Sequence, residues 1–327
     1  MSSLVPSFSR RRFMGITAAS AALGWLPATL AEVADPRLLV EWRGFALGAA
    51  ATIRLHHPDP DAARALIADG VAEIARLERV FSLFQPDSAL SRLNRDRVLT
   101  APPQPLVELL ADAAGFSRLT GGAFDATVQP LWRLYADHFG RADADPDGPA
   151  PEAVRRAREL VDWRGVEIAS DRIALARPGM AVTLNGIAQG YITDRVIARL
   201  QAAGMTRVLA DLGETRALGR HPAGRPWSVG LEDPRRPGHI ARTLEISDGA
   251  VATSGGYGTR FEPSGRFHHL FDPATGGCPG HLLAVSVQAP TATAADALAT
   301  ACVVLPEAAA RRLLAGQAGT VGWFTPA

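Results

Sequence analysis

Lysine is absent from this chain: all 34 basic residues are arginine. That excludes a lysine Schiff base and the lysine of a P-loop. Charge of one sign is lacking too. The net charge is +1, and the arginines are scattered, so nothing draws the chain to nucleic acid or an anionic membrane surface. Only two cysteines are present, which excludes a disulfide framework, and no Cys or His spacing matches a metal site. Cys278 in a Gly/Pro loop and Cys302 in an apolar helical run could pair in an oxidising compartment, and two free thiols is the favoured reading. What is present is ordinary globular composition: 327 residues, 47% hydrophobic and 20% charged, enough for a large core and for two subdomains.

The N-terminus reads as a targeting segment. Ser9-Arg10-Arg11-Arg12-Phe13-Met14 is a twin-arginine pattern, followed by an uncharged run from Gly15 to Leu30 that is short and weakly apolar for a membrane span. Thr29-Leu30-Ala31 suits signal peptidase. The expectation is a Tat signal at 1–31, a mature domain at 32–327 and a periplasmic location. No Cys follows the run, so a lipoprotein is excluded.

The most informative stretch is Val182 to Arg195, VTLNGIAQGYITDR. Its apolar start predicts a strand. Asn185, Gly186 and Gly190 predict a tight turn. Ile192, Val196, Ile197 and Leu200 lie at helical spacing. A Gly-rich turn opening a helix suits an anionic ligand, though the same glycines serve equally to pack the helix closely. Elsewhere the chain predicts a strand over 45–55 with a Gly interruption and a helix capped by Asp59-Pro60. A second helix covers 105–118, a third 152–161, a hairpin 166–175, and a helix 291–304. Further strands are expected at 208–211, 227–231, 243–246, 250–253, 284–288 and 321–324. Several strands are joined by short turns. That favours an α+β fold with mixed or mostly antiparallel sheets and packed helices over a doubly wound one.

Within this frame a few residues carry chemistry. Asp296 and Thr300 are four apart on a helix otherwise built of Ala, Leu, Cys and Val, so they share a face. A carboxylate there needs a partner, either a helix cap or a hard cation. His269, just before a Pro/Gly turn, can be a general base, a phosphate donor or a core-edge histidine. Phe124 and Asp125 follow a Gly turn, where they could stack on and bond a planar ligand; Asp125 could equally be a turn residue.

The blocks FSLFQPDSALSRLN, TGGAFDATVQPL, TLNGIAQGYITDR, PWSVGLEDP, VATSGGYGTRF, HHLFDPATG and AADALATA, in this order, resemble the ApbE family of Mg²⁺-dependent FAD:protein FMN transferases. The resemblance implies an ApbE-like, T-fold-related architecture. It implies transfer of FMN from FAD to a Ser or Thr of a target protein, with AMP released. By resemblance, Gly186 (through its carbonyl), Asp296 and Thr300 hold Mg²⁺. His269 assists as acid or base, with Asp296 the rival base. Leu47, Phe124, Asp125, Thr183, Gln189 and Phe271 fall where the family contacts FAD, and Ser254 and Gly255 line the same cleft. The implied acceptor carries a Ser/Thr-Gly-Ala-Ser/Thr-like motif. TLNGIAQG, LGETRALG and the Tat signal look most like the NosX branch, which points to a NosR-like membrane protein of nitrous oxide respiration. Two departures stand out: Thr183 replaces the family's usual Asp, and Gln189 its usual Lys or Glu. They motivate a second expectation, a non-catalytic FAD-binding or assembly protein. An FAD pyrophosphatase is the third.

Overall fold

The computed structural model describes residues 38–327. The expected export signal lies outside the described residues, as does the expected start of the mature chain near Glu32. No helix among the described residues is long and apolar enough to cross a membrane.

The chain begins with β1 (Leu39–Ala46) and β2 (Ala49–His56), paired antiparallel. The sequence predicts one interrupted strand here, and the structure has a hairpin. Leu47 and Gly48, at φ 54° and 80°, are both left-handed, as a two-residue turn of this kind requires. Then α1 (Pro60–Phe81) starts at the expected cap, where the Asp59 carboxylate accepts the N–H groups of Asp61 and Ala62. α2 (Ala89–Asp96), β3 (Val98–Thr100), α3 (Gln104–Leu119), α4 (Gln129–Phe139) and α5 (Pro151–Arg158) follow. β4 (Val166–Ile168) and β5 (Arg172–Leu175) form a small sheet with β3.

The second half holds α6 (Ala188–Ala202), β6 (Val208–Asp211), β7 (Thr215–Leu218), β8 (Trp227–Glu232), β9 (Ile240–Ile246), β10 (Gly249–Gly255) and β11 (Leu282–Ala289). It ends with α7 (Ala292–Val304), α8 (Glu307–Ala315) and β12 (Val321–Pro326). The main sheet has seven strands in the order β1-β2-β6-β7-β10-β11-β12, and each of its pairs is antiparallel. The expected α+β architecture is therefore present.

Strand alternation divides the core between the two faces. In β10, Ala250 and Ala252 pack with Val285, Val287 and the small residues of α7. Val251 points the other way, joining Leu209 and Ala217 beneath Trp227 and Val229 of the β8–β9 hairpin. α7 is apolar on every side, and ten of its 13 residues are buried, so it is a core helix rather than an amphipathic one. Its alanines let it lie close to both the sheet and α6.

One expected strand is absent. Val182 and Leu184 are buried and Thr183 partly so, but the three join no sheet. The Asn94 side chain satisfies Val182 instead: its Oδ1 accepts the Val182 N–H at 2.6 Å and its Nδ2 donates to the Val182 carbonyl at 2.8 Å. The Thr183 N–H donates to the Ala126 carbonyl at 2.7 Å. With these partners the backbone stays extended and buried without a neighbouring strand.

Candidate active site

The stretch after Leu184 aligns two helices. α6 begins at Ala188, so Gly190 lies inside it rather than in the expected turn. A Cβ on Gly190 would sit 2.3 Å from the Ala292 carbonyl oxygen at the start of α7, so the glycine is needed for helix approach. Asp194, one turn further on, fastens the crossing. It accepts the N–H groups of Ala292 and Thr293 at 2.9 Å each and the Thr293 hydroxyl at 2.6 Å, and it pairs with the Arg216 guanidinium. The Gly190 N–H, in the first turn of α6, donates to Asp296 at 3.0 Å. The donor expected to meet a phosphate is therefore taken by a carboxylate of the chain itself.

This crossing brings the predicted residues together. Asp296 and Thr300 face one chamber, which Phe124, Thr183, Gln189, Ser254, Gly255, His269 and Phe271 also line. The Thr300 and Ser254 hydroxyls lie 3.2 Å apart. Gly186 is adjacent: a Cβ on it would come 2.9 Å from Thr300 Oγ1. Phe271 is a wall residue, its ring packed on Tyr135 at 5.1 Å between centroids. Asp125 also lines the chamber, but its carboxylate is committed to the loop. Oδ1 accepts from the Thr127 N–H at 2.7 Å and hydroxyl at 2.6 Å, and Oδ2 accepts the Trp163 N–H at 3.1 Å.

Leu47 lies elsewhere. It lines a second, outer chamber beneath the β1–β2 turn, where its N–H donates to Glu78 at 2.5 Å. The chambers meet at Asn185 and Gln189, which line both. Phe45 and Phe84 border the outer chamber and are 82% and 51% exposed as residues, apolar surface that suits a planar ring. Sequence reasoning missed both. Phe84 stands inside the quoted FSLF block, but nothing local distinguishes a ring that faces a ligand from one that faces the core.

The electrostatics of the inner chamber are one-sided. Burial pushes the Asp296 carboxyl up, against the Gly190 N–H, and negative Asp194 adds to the rise. Glu214, also missed, is buried in the same chamber wall and is pushed well up by burial, then by Asp296 and Asp211, with one N–H from Thr253 opposing. Burial raises Asp211 to about 6, and its Oδ1 has no hydrogen-bond partner. Arg216, on β7 between these strands, is already paired with Asp194. Three buried acids with so little positive compensation fit a bound cation. No group of three or more His, Cys, Asp or Glu side chains that could hold a metal exists among the described residues. A cation here would draw on one carboxylate, a hydroxyl and a backbone carbonyl, oxygen donors that suit a hard divalent ion.

His269 is neutral in this setting. Burial lowers it to about 4, partly opposed by the Thr259 carbonyl, with His268 lowering it further. Its Nδ1 lies 3.2 Å from that carbonyl and 3.3 Å from the Thr259 N–H, so the Thr259 backbone holds the ring in either neutral tautomer. The loop bearing it is pinned by Cys278, whose thiol donates to the His268 carbonyl at 3.1 Å. Both cysteines are free, as expected. Asp272 is a turn residue, accepting from the Ala274 N–H and the Thr275 hydroxyl at 2.9 Å each.

Residues 47–324 match the ApbE family model. The chain is 37% identical over 264 residues to the FAD:protein FMN transferase of Treponema pallidum, covering 71% of each chain. In structure it is similar to the apo flavinyl transferase ApbE of Pseudomonas stutzeri, with a TM-score of 0.73, 32% identity and coverage of 88% of this chain and 90% of that one. It is likewise similar to the ApbE protein of Thermotoga maritima, with a TM-score of 0.77, 27% identity and coverage of 88% and 94%.

Proposed function

Because this chain belongs to the ApbE family, and is an FAD:protein FMN transferase like its curated relatives, we propose how its residues divide the work. The observation that carries the reading is the inner chamber, where Asp296, Thr300 and Gly186 lie beside a neutral His269 and open at Gln189 onto an aromatic outer chamber. FAD spans both, its ring toward Phe84 and Leu47 and its pyrophosphate toward Thr300. Mg²⁺, held by Asp296, Thr300 and the Gly186 carbonyl, supplies neutralisation of phosphate charge when bound. Neutral His269 takes the proton of the acceptor hydroxyl, in preference to Asp296 as base. The hydroxyl oxygen bonds to the FMN-side phosphorus, the bond to the bridging oxygen breaks, and AMP leaves with that oxygen. Thr183 removes a carboxylate that the family pattern places in this cleft and Gln189 is neutral where that pattern has Lys or Glu, so Asp125, Glu214 and Asp296 are the acids left along it.

The acceptor is a Ser or Thr in a Ser/Thr-Gly-Ala-Ser/Thr-like segment. The finer reading is a NosX-like enzyme, exported by the Tat route to the periplasm, acting on a NosR-like membrane protein. The quoted sequence blocks and the twin-arginine pattern support it. The test combines purified protein, FAD, Mg²⁺ and a soluble acceptor domain carrying such a segment. Flavin fluorescence on the denatured acceptor with AMP in solution is the expected result. AMP and free FMN with an unlabelled acceptor would mean hydrolysis, and tight FAD binding with neither product a storage or assembly role.

A further inference from the structure

The main sheet is incomplete at the reaction centre. β7 pairs with β10 only along Gly249–Val251, whereas β10 runs on to Gly255. Beyond Val251, β10 is flanked by β11 on one side, and among the described residues no strand covers the other. That uncovered stretch, Thr253 to Gly255, lines the inner chamber.

The register fixes which groups face the gap. The hydrogen-bonded alternation runs from His56–Arg207 across β6 and β7, so Val251 faces β7, and Thr253 and Gly255 face the same way. The Thr253 N–H is already given to Glu214, and the Gly255 carbonyl accepts the Gly258 N–H at 3.3 Å. What faces the gap is the Thr253 carbonyl and the Gly255 N–H. They flank Ser254, whose hydroxyl points to Thr300 at 3.2 Å.

We infer that the acceptor protein docks by backbone, as an extended segment lying parallel to the end of β10. One of its residues gives its N–H to the Thr253 carbonyl and takes the Gly255 N–H on its own carbonyl. That residue sits opposite Ser254, and residues opposite one another share a face of the sheet. Its side chain therefore projects toward Thr300 and Asp296, and it is the Ser or Thr that receives FMN. Recognition of this kind reads the main chain, with side chains only tuning it. The inference rests on the transferase reading given above.

The test uses synthetic acceptor peptides carrying a Ser-Gly-Ala-Thr segment, with the flavinylated residue located by mass spectrometry. Single backbone amides are then replaced by esters, which removes one N–H at a time. An ester at the flavinylated residue's own N–H is expected to lower kcat/KM for the peptide about fivefold to tenfold, the worth of one such bond. Esters at the residues on either side, whose N–H groups point away, should change it less than about twofold, and KM for FAD should not move. A flavinylated peptide with no such alternation overturns the docking inference and leaves the transferase reading standing. A native peptide that takes no flavin while FAD is bound removes both.

Discussion

Two aspartates stand on the crossed helices, each one turn beyond the contact of Gly190 with Ala292, and they lead opposite lives. Asp194 on α6 meets a guanidinium, two backbone N–H groups and a hydroxyl. Asp296 on α7 meets the Gly190 N–H and otherwise faces Glu214 and an open chamber. The satisfied carboxylate holds the scaffold, and the underpaired one holds capacity for a ligand. Asp296 is the more buried of the two and yet has the fewer donors.

That contrast can be broken deliberately. Asp296→Ala should cost the most: about 1,000-fold in the rate of FMN transfer, as for loss of a principal charge-stabilising group. Mg²⁺ should raise Tm of the native protein but not of this variant, which differential scanning fluorimetry would read. A variant that still gains stability from Mg²⁺ would place the cation elsewhere. Asp194→Ala should do the reverse, leaving the donors of the chamber in place but lowering stability by about 2 kcal/mol, because the Ala292 and Thr293 N–H groups lose their acceptor and partly exposed Arg216 its partner. Denaturant titration checks this, and an unchanged midpoint would mean that the crossing is held without Asp194. Gly190→Ala probes the same junction sterically. Its new methyl meets backbone at Ala292, and the helices must part, costing about 2 kcal/mol with a loss of transfer activity.

The smallest effect is on pH dependence. Asp211 is raised to about 6 in the fold from an unfolded value near 3.8. Between those values the folded state holds more protons than the unfolded one. Metal-free stability should therefore rise as pH falls through about 6 and level off near 4, opposite to an ion-paired carboxylate. Asp211→Asn should reduce that rise in thermal melts, the remainder belonging to Asp296 and Glu214. If the acid-side rise is unchanged in the variant, Asp211 is not its source.

Much of this was legible in advance, and the parts that were not share a cause. The four-residue spacing of Asp296 and Thr300 on an apolar helix needed only helix geometry, and the short turns between strands needed only local chemistry. The antiparallel sheet and the cap at Asp59 were read the same way. The strand expected at 182–184 failed because its hydrogen bonds go to a side chain 88 residues away. Gly190 looked like a turn residue because the carbonyl it must clear belongs to another helix. Leu47 and Gly48 looked like an interruption because a left-handed leucine gives no local signal. Glu214 was passed over because its isolation depends on Asp211 and Asp296 arriving from other elements. Patterning reports what a residue does with its neighbours in sequence, and these residues are defined by neighbours in space.

Asn94 reaches from α2 to the backbone of Val182, next to the chamber-lining Thr183. Its amide offers a donor and an acceptor on one rigid plane, as a peptide group does, so a single side chain serves as one residue of a neighbouring strand. The floor beneath Thr183 and Gly186 is thus buckled to the body by a two-pronged clasp rather than woven into a sheet. A woven floor would share any disturbance among many bonds. A clasped one concentrates it, so a change at this remote helix can loosen the catalytic chamber without touching any residue that lines it.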